Sequence, residues 1–283
     1  MYYLGFDIGG SNIKAVLVND KKILKSIMEK TPVNLDGLLL LLETMKNDLG
    51  GEVPAGKIGG VGFSLAGALD VKREIMLNSP NIQYLNGRSL KKLLQERMAP
   101  WLIIIEHDVH CFLQAEKEVG LARELKNVFY LTVGTGVGGA FMINREIFIG
   151  SHGASGEAGH MIIEQSTAQS LELLMANKFV KKLLGVAGDQ AEKLVRQGDQ
   201  KAKDLFAQRG RNLGVGIANI INVFDPDAVI IGGGIVSAQE FIVAGIYEAI
   251  EKYVISSEAK KTKIFFSQLG QFGGALGASL LFE

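Results

Sequence analysis

Apolar and polar positions change rhythm along the chain, and each change marks an element. Tyr2 to Phe6 is a short apolar run, Ile13 to Val18 a second and Ile23 to Met28 a third. Turn residues separate them at 7–12 and at Asn19-Asp20, which predicts a β-meander. Leu35 to Leu49 has helical spacing and stops at Gly50-Gly51. Ile58 to Ser64 reads as a strand. Ser89 to Met98 reads as a helix with Ser89 as its N-cap. Leu102 to Ile105 is apolar throughout and β-branched, the pattern of a strand covered on both faces. Val109 to Val119 is helical again.

The order then repeats. Val128 to Val133 is a strand, Gly134 to Gly139 a glycine turn, and Ala140 to Ile143 and Glu146 to Ile149 are two more strands. Ala228 to Ile231 runs into Gly232-Gly233-Gly234, as Ile58 to Ser64 runs into Leu65-Ala66-Gly67. Helices fill 170–224, and Leu213, Ile217, Ile220 and Ile221 share one stripe that ends at Asp225-Pro226-Asp227. The repeat predicts an internal duplication into two α/β domains. The first takes residues 1–118 with a returning C-terminal helix, 272–283; the second takes 119–271. Short hinges are expected near Gly120 and Gly270.

Length agrees: 283 residues is one domain too many for a single core. Lys and Arg number 30, as do Asp and Glu. That balance exerts no bulk pull on nucleic acid or anionic lipid. One cysteine, Cys111, excludes an internal disulfide and a multi-cysteine metal site. The opening residues carry no basic leader, and no apolar run near the start approaches a membrane span. The cytoplasm is the expected compartment. Thirty-five glycines against five prolines point to tight turns and backbone-lined sites.

The glycine turns carry the candidate chemistry. Gly134-x-Gly136-x-x-Gly139 fits the dinucleotide-binding pattern, but a strand follows it where that motif needs a helix. A glycine hairpin can still cradle phosphate with backbone N–H groups, and Thr132 and Thr135 add hydroxyls. Asp7-x-Gly9-Gly10-Ser11-Asn12 is a second such hairpin with an acid at its mouth. A carboxylate beside phosphate calls for a cation between them, and Mg²⁺ held through water fits. The plain alternative is a glycine turn with a capping Asp. Neither a P-loop nor a protein-kinase signature set is present. That leaves the two-domain actin-like ATPase plan, a duplicated ribonuclease-H-like α/β fold with a cleft between domains.

At this point the residues resemble the ROK-family sugar kinases, almost end to end. Asp7 to Lys14 resembles that family's first phosphate hairpin, and Leu131 to Gly139 its second. Gly62 to Asp70 and Asn78 to Ile82 are similar to its two sugar-side loops. Glu106-His107-Asp108 stands where the family has Glu-Asn-Asp, and Gly156-Glu157-Ala158-Gly159-His160 matches its Gly-Glu-x-Gly-His. Val229 to Gly234 is similar to its adenosine-side strand and turn. Three departures stand out. The family's cysteine-rich zinc loop is absent between Met161 and Glu172, so no zinc site is expected. His107 replaces the family's Asn. No helix-turn-helix precedes the first strand, which disfavours the repressor branch.

The resemblance implies an ATP- and Mg²⁺-dependent hexose kinase acting at C6 of glucose or an N-acetylhexosamine, and a homodimer. A non-catalytic sugar-binding regulator and a kinase for fructose or a β-glucoside are the alternatives. Asp108 becomes the candidate base; unaided, it reads as a helix N-cap. Gly67, Asn81, His107, Asp108, Glu157, His160 and Glu172 would hold the sugar. Asp7, Gly9, Gly10, Ser11, Asn12, Thr135, Gly136, Gly233 and Gly234 would hold the nucleotide, with Mg²⁺ on Asp7 through water. Lys14, by strand alternation, points away from the turn.

Overall fold

The computed structural model describes every residue from 1 to 283 except 52, 55, 187 and 283. Contacts divide the chain into two units, residues 1–124 with 149–154 and 268–283, and residues 125–148 with 155–267. The first change of unit falls after residue 124, a few residues beyond the expected hinge at Gly120. Residues 149–154 also rejoin the first unit.

In chain order the first unit holds β1 (Tyr2–Ile8), β2 (Asn12–Asn19), β3 (Lys22–Lys30), α1 (Leu35–Gly50), β4 (Ile58–Leu65) and the two-residue strand β5 (Ala68–Leu69). It continues with β6 (Met76–Asn78), α2 (Leu90–Met98), β7 (Ile103–His107) and α3 (Asp108–Val119). The second unit begins with β8 (Val128–Val133), β9 (Val137–Ile143) and β10 (Glu146–Phe148). A small hairpin, β11 (Ile162–Glu164) and β12 (Gln169–Ser170), leads into α4 (Leu171–Met175), α5 (Asn177–Leu184), α6 (Gly188–Arg196) and α7 (Gln200–Phe224). Then come β13 (Ala228–Gly232), α8 (Gln239–Tyr253) and β14 (Lys263–Phe266), and α9 (Gly273–Ser279) returns to the first unit.

The two main sheets have the same plan. The first runs β3-β2-β1-β4-β7 and the second β10-β9-β8-β13-β14. In each, three strands form an antiparallel meander and two more add in parallel. This is the duplicated α/β architecture the repeated pattern implied. Each sheet buries one face in its own core. Leu4, Phe6 and Ile8 alternate into the first, where Phe6 stacks on Phe63 at 5.2 Å. Phe129, Leu131 and Val133 do the same in the second. Each fully buried aliphatic or aromatic side chain contributes roughly 1.5–3 kcal/mol.

On the opposite face of the first sheet α9 lies close. A methyl group at Gly62 would land on the Ala278 carbonyl, and one at Gly277 on the Cys111 carbonyl of α3. Bare backbone there lets two helices and a sheet meet without intervening side chains.

Three local expectations change. Ser89 makes no side-chain cap; its backbone instead bridges to Ile75. Leu102 lies outside β7 and is 59% exposed, so only Ile103 and Ile105 of that apolar run are buried. The second glycine turn closes early, and β9 resumes at Val137. Among the described residues, no helix is long and apolar enough to cross a membrane.

Candidate functional site

In the first unit, strand register builds a polar row. Asp7 pairs with Lys14 on one side and with Ser64 on the other, and Ser64 pairs with Glu106. Residues directly opposite one another in neighbouring strands share a face, so Lys14, Asp7, Ser64 and Glu106 line up across four strands. The row lies at the carboxyl ends of the parallel strands, where open α/β sheets bind ligands.

Asp7 is 8% exposed. Its Oδ1 accepts from the Ser64 hydroxyl at 2.8 Å, and its Oδ2 lies 3.7 Å from Lys14 Nζ. Burial pushes its carboxyl upward, while Lys14 and Ser64 pull the other way without cancelling it. Lys14 therefore belongs to the site. Alternation along β2 alone points it away from the turn, but cross-strand register sets Lys14 on the same face as Asp7. That pairing follows from a hairpin centred on Gly10-Ser11.

The turn beyond Asp7 is braced from outside. Gly9 N–H donates to the Asn12 carbonyl at 3.1 Å, and Thr31 Oγ1 donates to the Gly9 carbonyl at 2.6 Å. Gly10 lies against the Asn81 side chain, which a methyl at Gly10 would strike. The first hairpin, with Ser11 and Asn12, and the exposed Asn81 thus share one corner. Gly67 stands beside the same loop, with the Ser79 hydroxyl donating to the neighbouring Ala66 carbonyl at 3.1 Å.

At the far end of the row, β7 hands over to α3. His107 is the N-cap residue and Asp108 the first helical residue, so Asp108 is not itself the cap. Its Oδ1 accepts from the Val109 N–H at 2.9 Å. Burial, then the negative charge of Asp7, raise the Asp108 carboxyl to about 7. An acid that is half ionised near neutrality suits proton abstraction.

Glu106 Oε1 gathers three groups: Arg73 Nε at 2.8 Å, the His107 N–H at 2.7 Å and His110 Nδ1 at 3.0 Å. Burial works to raise Glu106, but His110 and Arg73 outweigh it and hold the carboxyl low. Arg73 reaches this point because Asp70 Oδ1 accepts from the Glu74 and Ile75 N–H groups, both at 2.7 Å, and folds the loop tightly. Burial, with Arg73 and His110, lowers His107 to about 4, so its imidazole is neutral at pH 7. Ser64, Arg73 and Glu106 were not among the sequence candidates. Their relevance depends on register and loop closure, which no local motif encodes.

In the second unit, the equivalent row is uncharged. Thr132 pairs with Gly138 and Gly232 where Asp7 pairs with Lys14 and Ser64. The glycine hairpin there offers backbone and the exposed Thr135. Gly233 packs on the Val133 carbonyl and Thr132 Oγ1, and a methyl at Gly134 would stand 3.8 Å from the Gly234 nitrogen. Gly136 lies beside Glu172, whose Oε2 accepts from the Val137 N–H at 2.9 Å.

Glu157 and His160 flank a short 3-10 turn, Ala158–His160, with their side chains 3.9 Å apart and both well exposed. The glycines on either side explain the pattern: Gly156 lies on the Gly139 backbone and Gly159 on the Val137 carbonyl, with no room for a Cβ. The turn carrying Glu157 and His160 is thus laid directly on β9. Where a zinc loop was found missing from the sequence, the chain forms the β11–β12 hairpin. Met161 and Ile163 there pack against the second core, and Thr167 donates to Glu164 at 2.9 Å. Among the described residues, no group of three or more His, Cys, Asp or Glu is placed to hold a metal ion.

Known proteins share this plan. A glucokinase of Thermotoga maritima is 27% identical over 99% of this chain and 96% of its own length. An N-acetyl-D-glucosamine kinase of Vibrio parahaemolyticus is 28% identical over 99% of both. The crystal structure of a Streptomyces griseus ROK family glucokinase, in complex with glucose and AMPPNP, superposes with a TM-score of 0.83 at 25% identity, covering 99% of this chain and 98% of that one. The ROK family model matches residues 3–283. With the duplicated sheets and both glycine hairpins in place, the chain belongs to the ROK family.

Proposed function

We propose that the protein is an ATP- and Mg²⁺-dependent hexose kinase, transferring the γ-phosphoryl group to the C6 hydroxyl of glucose or of an N-acetylhexosamine such as N-acetylmannosamine. The observation that carries this reading is the Asp108 carboxyl, poised near pH 7 beside Asp7 at the end of the polar row. The named relatives that act on glucose and on N-acetyl-D-glucosamine support both acceptor classes.

In this reading Asp108 takes the C6 hydroxyl proton as the oxygen attacks the γ-phosphorus and ADP leaves. Glycine hairpin backbone in the second unit, with Thr135 and Gly136, receives phosphate, and Gly233 and Gly234 lie along the adenosine. Gly67, Asn81, neutral His107, Glu157, His160 and Glu172 are the groups available to sugar hydroxyls. A neutral imidazole can donate and accept at once, which an asparagine amide also does, through differently placed atoms.

Magnesium fits the donors present. Asp7 spends one oxygen on Ser64, and its other oxygen stands beyond hydrogen-bond range of Lys14. Among the described residues no group of three or more His, Cys, Asp or Glu is placed to cage an ion, so Asp7 would hold a hydrated ion through water, as Mg²⁺ prefers. When bound, the ion would neutralise phosphate charge. The family resemblance also supports a cytoplasmic homodimer.

The test is a coupled ADP-release assay with Mg-ATP against a panel of hexoses, on the wild type and on Asp108→Asn. Sugar-dependent turnover that falls ~10²-fold or more in the variant is expected. Sugar binding without turnover on any hexose would replace the kinase reading with the regulator.

A further inference from the structure

Arg73 combines four features that ordinary core packing does not explain. It is buried, at 8% exposure. Its backbone is left-handed, with φ +58°, a conformation that costs a non-glycine residue energy and persists where neighbours hold it. Its Nη2 is buried and, among the described residues, has no hydrogen-bond partner, although buried donors are nearly always paired. Glycine is also required where its head group ends: Gly153 has φ +73°, and a methyl there would stand 2.8 Å from Nη1.

The guanidinium spans three segments of the first unit. Nη1 donates to the Gly153 carbonyl at 3.4 Å and to the Asp70 carbonyl of its own loop at 3.5 Å. Nε donates to Glu106 Oε1 at 2.8 Å. The same oxygen accepts from the His107 N–H at 2.7 Å. Contacts thus run from the turn at Gly153, through the guanidinium, to the peptide one residue before Asp108. An arginine kept for stability alone would have every donor met. A buried ion pair can be replaced by neutral groups of similar size at little loss, whereas removing one partner strands the other. What a neutral pair lacks is the planar fork that fixes several segments at once.

We propose that Arg73 is a positioning residue for the acceptor sugar: its guanidinium fixes, through Glu106, the β7–α3 corner from which His107 and Asp108 act. This deepens the kinase reading and rests on it for the roles of those two residues.

The test compares stability with catalysis in the full chain. Arg73→Met should lose both, with kcat/KM for the sugar down ~10²-fold, the effect of displacing a reacting group by about 1 Å. Calorimetric affinity for Mg-AMPPNP should change little. Arg73→Met/Glu106→Gln removes the stranded charge and keeps an oxygen for the His107 N–H. Its melting temperature should return most of the way to that of the wild type, while kcat/KM stays low. Arg73→Lys keeps a cation beside Glu106 and covers the case in which the methionine variant does not fold. A point charge cannot hold Glu106 and Gly153 together, so its kcat/KM should also fall, though less far.

Recovery of kcat/KM along with the melting temperature in the double variant makes Arg73 a structural residue and overturns the inference. So does a lysine variant as active as the wild type, or a methionine variant that loses nucleotide affinity as severely as sugar turnover. A wild type that turns over no hexose overturns the kinase reading instead. Sugar affinity by calorimetry, in the same proteins, then tests the inference with the same ranking expected.

Discussion

Asp108→Asn separates catalysis from stability and does so with a sign that can be worked out beforehand. The native carboxyl stands at about 7 against 3.8 for an ordinary aspartate, because burial and then the Asp7 charge disfavour ionisation. The native state therefore holds its proton between pH 4 and 7 while the unfolded chain releases it. Stability falls as pH rises through that window, and the penalty is complete above pH 7. Raising a carboxyl by that amount corresponds to roughly 4 kcal/mol.

Asparagine is nearly isosteric and keeps an oxygen for the Val109 N–H, so the variant loses the charge and little else. It should be inactive and more stable. At pH 8 it should melt on the order of 10 °C above the wild type, taking ~2–4 °C per kcal/mol. At pH 5 the gap should shrink by more than half, since most of the wild-type penalty has not yet developed there. Scanning calorimetry of both proteins at the two pH values measures it. An equal gap at pH 5 and pH 8, or a less stable variant at pH 8, would show that Asp108 is not a strained, buried acid and would refute the reasoning.

Other outcomes follow from the same geometry. Wild-type kcat/KM should drop about tenfold per pH unit below 7 as Asp108 protonates; a flat profile from pH 5 to 8 would assign the base elsewhere. Ser64→Ala removes the hydroxyl that donates to Asp7 and should cost about 1.5–3 kcal/mol in denaturant unfolding, with a higher Mg²⁺ requirement for turnover. Arg73→Met leaves Glu106 with only His110 and the His107 N–H and should cost about 3 kcal/mol or more. In the same variant His107 should titrate above its native value of about 4 but short of 6.5, because burial, the larger cause, remains; NMR of the histidine ring follows it. Gly62→Ala should fail to give folded protein, since its methyl meets the Ala278 backbone, whereas Gly234→Ala opens into free space and should fold normally. Expression and circular dichroism of the pair decide that contrast.

The fold was largely legible because its signals are local. Strand-length apolar runs punctuated by glycine turns appear twice, and each copy became a meander with two parallel additions. Asp7, Asp108 and the glycines announced themselves by motif. Lys14, Ser64, Arg73 and Glu106 did not, for a physical reason. Their place in the row depends on which residue of one strand faces which residue of the next, between segments up to ninety-two positions apart (Lys14 to Glu106). Gly156 and Gly159 looked like markers of a sugar-binding turn; their spacing is equally a packing demand, because the turn lies on β9. Leu102 misled because an apolar residue beside a strand looks like part of it, yet lies outside the ladder.

The return of α9 to the first unit has a consequence for synthesis. A ribosome delivers residues 1–124 early, but the sheet they form keeps one face uncovered until 273–279 emerge. All of 125–148 and 155–267 leaves first, so the second unit is complete in sequence before the first is. Vectorial synthesis ordinarily lets the N-terminal part of a chain fold ahead of the rest. Here the first unit is completed in sequence only after the second. A chain arrested before residue 273 would carry a finished second unit behind a half-built first one, its glycine-lined sheet face open to chaperones.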